Sequence, residues 1–184
     1  MRIPITICLF ILMAGCQLPA INIPPNILVQ NYDPQLKKTD GGWLYKGQPF
    51  NGYMVESGLD GRVLYKLPVI GGKEEGLAEG WFDTGEKLMV RHFAHGLQQG
   101  LFIQWWPNGN QRYVFNFAAG KMQGQQWVFY PNGHKRQESN FAAGQLDGLQ
   151  RAWAPDGKLT ANYAVKNNHL YGVVGSKSCL PVGH

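Results

Sequence analysis

Glycine recurs along the chain with a period of 24 residues, and this repetition constrains the fold more than any other feature. Three positions of each unit hold fifteen of the 24 glycines. The first column contains Gly52, Gly76, Gly100, Gly124, Gly148 and Gly172; the second contains Gly61, Gly85, Gly109, Gly133 and Gly157; the third contains Gly72, Gly96, Gly120 and Gly144. A fixed period of this length indicates a repeat architecture, so we expect a row of similar units.

Each unit has the pattern of a β-hairpin. The segment Leu101–Trp106 is rich in aromatic and β-branched residues, which favours a strand, and a second strand is expected over Arg112–Phe117. Pro107-Asn108-Gly109 between them is a turn sequence that returns in the next two units. A second turn, from Gly120 to Gly124, is expected to lead into the following unit. The sequence therefore predicts an all-β domain over residues 41–175, built from tandem 24-residue antiparallel hairpins in an elongated twisted sheet.

Large apolar residues occupy fixed columns of the repeat. One column holds Trp81, Trp105, Phe129 and Trp153, and another holds Phe93, Phe117, Phe141 and Val165. We expect these rings to stack between neighbouring hairpins as one continuous core. Since side chains alternate along a strand, the adjacent column of Phe82, Trp106 and Tyr130 is expected on the other face. That column either shields the sheet or forms a binding surface.

The pattern G-x4-W/F-x-P-N-G, followed by an aromatic residue and G-x3-G, resembles the bacterial variant of the membrane occupation and recognition nexus (MORN) repeat. The resemblance covers about Gly41 to Gly172. The first copy departs from it, with Ser57 in the Trp column and Val69 in the Phe column, as terminal repeats often do. Some bacterial proteins with such repeats are labelled antitoxin components. The resemblance implies links with membranes and protein partners, and it supplies no site residues.

The N-terminus is expected to direct the chain to the cell envelope. Residues 1–15 combine Arg2 with a short apolar run, which is typical of a secretory signal peptide. The final Met13-Ala14-Gly15-Cys16 resembles a bacterial lipobox, so Cys16 is the expected lipidation site. Gln17, where an Asp would resemble an inner-membrane retention signal, favours the outer membrane. The alternative is an ordinary signal peptide with a chance cysteine. Residues 16–40 contain several prolines and are expected to form an extended tether.

A C-terminal tail is expected over residues 176–184, and it contains Cys179. The three cysteines, Cys8, Cys16 and Cys179, lack the spacing of a metal site. After signal cleavage and lipidation only Cys179 would remain as a free thiol, so no internal disulfide framework is expected. This thiol either pairs with another molecule or is a buried small hydrophobic residue, and the second interpretation is favoured.

The sequence favours a protein without catalytic activity. Its histidines show no metal-ligand spacing, so neither a metal nor another cofactor is expected. A group of acidic residues surrounds the start of the second copy, where turn positions favour solvated carboxylates over acid–base catalysis. This group consists of Glu74, Glu75, Glu79, Asp83 and Glu86. No phosphate-binding loop and no nucleophile elbow are present.

Charge is uneven along the repeats. Residues 52–99 carry five basic and seven acidic residues, whereas residues 100–171 carry seven basic and three acidic residues. Arg112 and Arg136 occupy one column, which simple alternation places opposite the Phe column. With Trp106 and Tyr130 they form the candidate binding surface, while a solvated strand face is the alternative. Nucleic acid is not an expected partner, because the charge excess is small and export is expected.

Together these features predict an envelope-anchored lipoprotein that acts as a non-catalytic repeat scaffold for a protein or an envelope polymer. Its membrane contact is expected through the N-terminal lipid. The alternatives are an antitoxin or immunity-type protein that neutralises one toxin and, less favoured, a hydrolase that uses the acidic group.

Overall fold

The structure, a computed structural model, describes residues 25–173, and this part of the chain is all-β, as the repeat pattern predicted. It contains seventeen strands. These are β1 (Leu28–Gln30), β2 (Leu36–Thr39), β3 (Gly42–Tyr45), β4 (Gln48–Pro49), β5 (Gly52–Ser57), β6 (Val63–Ile70), β7 (Lys73–Glu74), β8 (Gly76–Trp81), β9 (Lys87–Ala94), β10 (Leu97–Trp105), β11 (Gln111–Ala118), β12 (Lys121–Met122), β13 (Gly124–Phe129), β14 (Lys135–Ala142), β15 (Gln145–Trp153), β16 (Leu159–Lys166) and β17 (His169–Val173).

Fourteen strands form one long sheet in which successive hairpins lie side by side. The order is β1-β5-β6-β8-β9-β10-β11-β13-β14-β15-β16-β17, with β7 and β12 as short additions. Every pair in it is antiparallel except β1–β5. The remaining strands, β2-β3-β4, form a separate small sheet. The predicted row of hairpins is therefore confirmed, and the small sheet is an addition that the repeat did not predict.

In the last three copies the first turn of the hairpin lies at the predicted Pro-Asn-Gly or Pro-Asp-Gly sequence. At Pro107-Asn108-Gly109, the Gly109 amide donates to the Trp106 carbonyl at 2.9 Å, and the Asn108 side chain accepts from the Asn110 amide at 3.1 Å. The Asn108 amide group also donates to the carbonyl of Pro131 in the next copy, at 2.7 Å. These bonds close each turn and tie it to its neighbour, which keeps the copies at a constant spacing.

The second turn is shorter than expected and lies earlier in the chain. It consists of Ala119-Gly120, with φ of 47° and 75°, and Lys121–Met122 already pairs back onto β11. The turn expected from Gly120 to Gly124 is therefore wrong. Two-residue turns with positive φ at both positions match the right-handed twist of paired strands, and Gly supplies one of these positions without strain.

In the first four copies the residue before the opening glycine supports the second turn of its own copy, 20 residues later. The Gln123 side-chain oxygen accepts from the Ala143 amide at 2.9 Å, and Gln99 accepts from the Ala119 amide at 2.8 Å. Glu75 and Asn51 make the equivalent bonds in earlier copies. This column was absent from the sequence interpretation because its residue type varies while its acceptor oxygen does not.

A β-bulge near each first turn changes the faces of the residues beside it. Gln104 lies opposite Tyr113 and Trp105 lies opposite Gln111, so Arg112 is the extra residue. The Arg112 guanidinium lies 4.8 Å from the centre of the Tyr113 ring, and Tyr113 stacks on Phe115 at 5.1 Å. Arg112 is thus on the same face as the Phe column, and the expectation that it lies opposite is wrong. Arg136 is skipped by the same bulge in the next copy.

The two aromatic columns lie on opposite faces of the sheet. The register places Gly100 opposite Phe117 and Trp105 opposite Gln111, and the five-residue separation along β10 puts the two columns on different sides. The expected single core of both columns is therefore wrong. We call the side with Trp81, Trp105, Phe129 and Trp153 the tryptophan face, and the side with Phe93, Phe117, Phe141 and Val165 the groove face.

The hydrophobic core lies at the N-terminal end of the groove face. There the small sheet covers Met54, Leu67, Val69 and Ala78, and Phe50 packs among them. The segment 16–40 was expected to be a tether, but β1 pairs with β5, β2 pairs with β3, and Val29 and Leu36 are buried in this core. The second half of that segment belongs to the fold, and residues 42–49 belong to the small sheet and not to the repeat.

A buried carboxylate and a close backbone approach hold the small sheet in place. Glu74 accepts hydrogen bonds from the Trp43 indole at 2.8 Å and from the Lys38 ammonium at 2.9 Å. Burial alone would raise the pKa of Glu74, but these two bonds, a backbone hydrogen bond and the charge of Lys38 together lower the pKa below its usual value. The Trp43 amide donates to the Gly72 carbonyl at 2.7 Å. Val69, where the next three copies have Phe, is fully buried beneath this cover.

Candidate functional site

The groove face is open beyond the small sheet, and it forms a groove of about 440 Å³ there. Strands β11, β13, β14, β15 and β16 supply its walls. Among the lining side chains are Phe115, Val128, Gln137, Ser139, Phe141 and Tyr163. These residues come from three consecutive copies, and the register of the antiparallel pairs brings them to one side of the sheet.

Aromatic rings form a continuous row that leads into the groove. Phe115 lies 6.0 Å from Phe102 on the neighbouring strand and 5.1 Å from Tyr113 on its own strand. All three rings are half-buried, because one side packs on the sheet and the other side faces outward. Such rings give a ligand flat apolar contact area at a low cost in conformational entropy.

Buried polar side chains shape the floor of the groove. The Gln126 amide group bonds to the backbone of Asn116, Gln123 and Gly124, so its donors and acceptor are occupied. Gln150 bonds to the backbone of Asn140 and Gly148 in the next copy. These two side chains therefore fix the bulged strand starts, and the amide of Gln126 has no group left to bind a ligand.

Two lining residues do present polar groups to the groove. Gln137 is exposed, and its amide nitrogen donates to the Ser139 hydroxyl at 2.9 Å. The Gln137 amide oxygen and the Ser139 proton remain able to bond to a ligand. A ligand with both donors and acceptors, such as one with hydroxyl or amide groups, would satisfy this pair.

The predicted binding residues form two stacked pairs at the Pro-Asn-Gly end of the groove face. The Arg112 guanidinium lies 4.4 Å from the centre of a Trp106 ring, and Arg136 lies 5.8 Å from the Tyr130 ring. The Trp106 indole donates to the Phe129 carbonyl at 3.2 Å, and the Tyr130 hydroxyl donates to the Trp153 carbonyl at 2.9 Å. Each ring therefore links its hairpin to the next copy.

These aromatic rings orient the arginines and leave their charge unneutralised by this part of the chain. Within residues 25–173, neither Arg112 nor Arg136 takes part in an ion pair. A guanidinium stacked on a ring keeps its edge N–H groups directed away from the ring, where they can donate to a carboxylate or phosphate.

Carboxylates are absent from the lining of the groove in the described residues. Of the three acidic residues in 100–171, Glu138 is buried on the tryptophan face, 3.8 Å from Arg151. Asp147 pairs with Lys166 at 3.0 Å, and Asp156 lies in a Pro-Asp-Gly turn. The groove face beyond the small sheet is therefore aromatic and cationic, and its electrostatic field favours an anionic ligand over a cationic one.

The acidic group of the second copy is divided among different contacts. Glu74 binds the small sheet, Glu75 binds the second turn at the His95 amide, and Glu79 pairs with Lys87 on the tryptophan face at 2.7 Å. The Thr84 hydroxyl donates to Glu86 and lowers the pKa of that exposed carboxyl. Residues 25–173 contain no group of three or more histidine, cysteine or acidic side chains that could hold a metal ion.

Several expectations concern residues outside the described range. These are the signal peptide at residues 1–15, lipidation at Cys16, the C-terminal tail and Cys179. In residues 25–173 the structure has no helix of the length and apolarity needed to span a bilayer.

The sequence interpretation missed the groove, although one of its signals was present. Phe141 was assigned to a core column, and Gln137 and Ser139 were not singled out. A row of hairpins has a buried core only where a second layer covers the sheet. One repeat column, which holds Val69 and Phe141, is therefore part of the core at Val69 and part of the groove wall at Phe141. No protein-family model matches the chain, and no curated protein shows significant similarity to it.

Proposed function

We propose that this chain is a non-catalytic scaffold of MORN-like repeats in the bacterial cell envelope, anchored by a lipid on Cys16. Its groove face binds a protein or an envelope polymer. The observation that carries this proposal is the open groove, which spans three copies and presents aromatic rings and amides, with two ring-stacked arginines beside it on the same face. Four of the five acidic side chains of the second copy, all except Asp83, have a structural contact, which favours binding over hydrolysis.

A photo-crosslinking experiment tests which face binds. A benzophenone side chain is introduced at Gln137 on the groove face or, as the matched control, at Asn162 on the tryptophan face. Both positions are exposed and lie in strands. Irradiation of cells should give adducts from position 137 and few or none from position 162. Equal adducts from both positions, or none from either, would contradict the proposal, and a single toxin as the adduct would favour an immunity protein.

A second experiment tests the anchor. Cys16→Ala should abolish labelling with a radioactive fatty acid and release the protein from membranes, because the thiol is the attachment atom. Cys8→Ala, in the apolar part of the expected signal peptide, is the control and should leave labelling intact. If label persists in the Cys16 variant, the lipid anchor is wrong and the crosslinking result stands alone.

A further inference from the structure

The groove face points to a ligand class, and this inference rests on the proposed binding role. We propose that the groove binds a linear glycan that carries carboxylates. Three independent properties of the groove face support this ligand: its aromatic row, its pair of an exposed amide and a buried hydroxyl, and its charge.

The aromatic row matches the shape of a sugar chain. Pyranose rings have flat apolar faces of C–H groups, and these faces pack on aromatic rings while the hydroxyl groups point to the sides. Phe102, Phe115 and Tyr113 follow one another at 5.1–6.0 Å across two strands, and Phe141 and Tyr163 continue the wall. A groove of about 440 Å³ that is open along the sheet suits a few sugar units of a longer chain.

The polar groups of the groove complement sugar hydroxyls. Gln137 offers an amide oxygen and Ser139 offers a hydroxyl proton, so together they can accept and donate. A hydroxyl group has the same double capacity. A simple acyl chain has none, and it would leave the hydroxyl proton of Ser139, a residue that is 4% exposed, without a partner.

Charge distinguishes an acidic glycan from a neutral one. Arg112 and Arg136 stand 24 positions apart at the same place in consecutive copies, and neither is paired within the described residues. The lining holds no carboxylate that would repel an anion. Two arginines at the repeat spacing match charges that recur along a polymer, whereas a single small anion would use only one of them.

Purified full-length protein is titrated with two soluble oligosaccharides of equal length, followed by calorimetry. One is a hexasaccharide of alternating N-acetylglucosamine and glucuronate, and the other is a neutral hexamer of N-acetylglucosamine. The acidic sugar should bind at least about tenfold more tightly at low salt, and this advantage should shrink as salt is raised.

Charge changes at an exposed groove position give variants that should fold normally. Gln137→Glu should weaken binding of the acidic sugar about tenfold, and Gln137→Lys should strengthen it, with little effect on the neutral sugar. Asn162→Asp, on the tryptophan face, is the control and should change neither. Arg112→Gln combined with Arg136→Gln should remove the preference for the acidic sugar.

The outcomes separate this inference from the proposed function. If neither sugar binds while position 137 crosslinks to a protein, the glycan ligand is wrong and the scaffold role stands. If the charge changes at position 137 leave the affinity for the acidic sugar unchanged, the groove is not the sugar-binding site and the inference fails. Binding to vesicles of anionic phospholipid that depends on the arginines, with no sugar binding, would identify a lipid headgroup as the ligand and overturn the glycan.

Discussion

At the scale of single residues, Gly72 lies where the repeats and the small sheet approach each other closely. It has a φ of 78°, and a Cβ atom there would lie 2.8 Å from the Trp43 carbonyl oxygen. Gly120, in the same repeat column, has a similar φ of 75°, but a Cβ there would meet only a Leu97 methyl group at 3.5 Å. A substitution at Gly120 therefore measures backbone strain, whereas one at Gly72 measures the same strain and a steric collision with Trp43.

We therefore expect Gly120→Ala to cost about 1 kcal/mol of unfolding free energy, since only the left-handed conformation is penalised. Gly72→Ala should cost about 1–3 kcal/mol more, because the backbone of the small sheet must move. Urea unfolding of both variants measures the difference. Equal losses would show that the 2.8 Å approach is not maintained in solution.

The second residue-scale prediction concerns Ala143, which has a φ of 51° in the turn before Gly144. Asn accepts this conformation more readily than Ala, and Asn-Gly is a favoured two-residue hairpin turn. Ala143→Asn should therefore raise the unfolding free energy by about 0.5–1 kcal/mol. Ala142→Asn, at the preceding strand position, is the control and should not stabilise. A loss of stability in the Ala143 variant would mean that the turn lies elsewhere.

At the scale of elements, the same hydrogen bond stabilises the second turn of several hairpins, although the residue type that accepts it differs between copies. The Gln123 side chain accepts from the Ala143 amide. Gln123→Leu should cost about 0.5–1.5 kcal/mol by removing this bond. Gln123→Glu should keep most of the stability, because Glu75 makes the same bond to the His95 amide at 2.8 Å. Thermal unfolding of the pair tests this, and equal losses from both changes would argue against the acceptor role.

The glycine columns and the Pro-Asn-Gly turns were sufficient to predict the hairpins and their order. They could not predict the bulge that places Arg112 on the groove face. One extra residue in a strand changes the face that simple alternation assigns to the residues beside it. Nor could they predict the Ala119-Gly120 turn, since Ala is a poor choice for positive φ. The small sheet was missed because residues 28–49 do not share the period, and its contacts with Val69 are long-range.

At the scale of the whole molecule, one ion-paired contact joins the small sheet to the repeats. The pKa of Glu74 is lowered in the folded state from an ordinary value of 4.5. Its stabilising contribution is therefore complete above about pH 4.5 and is lost as the pH falls through the lower folded-state pKa. Glu74→Gln should destabilise by about 1–3 kcal/mol at pH 7.

The pH dependence distinguishes this contact from simple packing. The stability difference between Glu74→Gln and the wild type should narrow as the pH falls below 4.5, because the wild-type carboxyl then becomes neutral. Glu79→Gln, at a partly exposed ion pair on the tryptophan face, should cost less than about 1 kcal/mol. If the stability difference between Glu74→Gln and the wild type stays constant down to pH 2, the ionised Glu74 carboxylate does not stabilise the contact between the small sheet and the repeats.

Stability should be graded along the sheet, because the second layer covers only one end of it. Of the nine buried hydrophobic residues described, seven form the cluster from Val29 to Ala78, and Val165 is the only one of the nine that follows Ala78 in the chain. Repeat arrays open in parts when neighbouring units differ in stability. Native-state hydrogen exchange should therefore show the greatest protection in β5, β6 and β8 and declining protection from β10 to β17. A ligand in the groove should raise protection in β11 to β16 without changing β5. Uniform protection without ligand would mean that the long sheet opens as one unit. The cross-strand contacts of the uncovered copies would then stabilise those copies as much as the hydrophobic core stabilises the first copy.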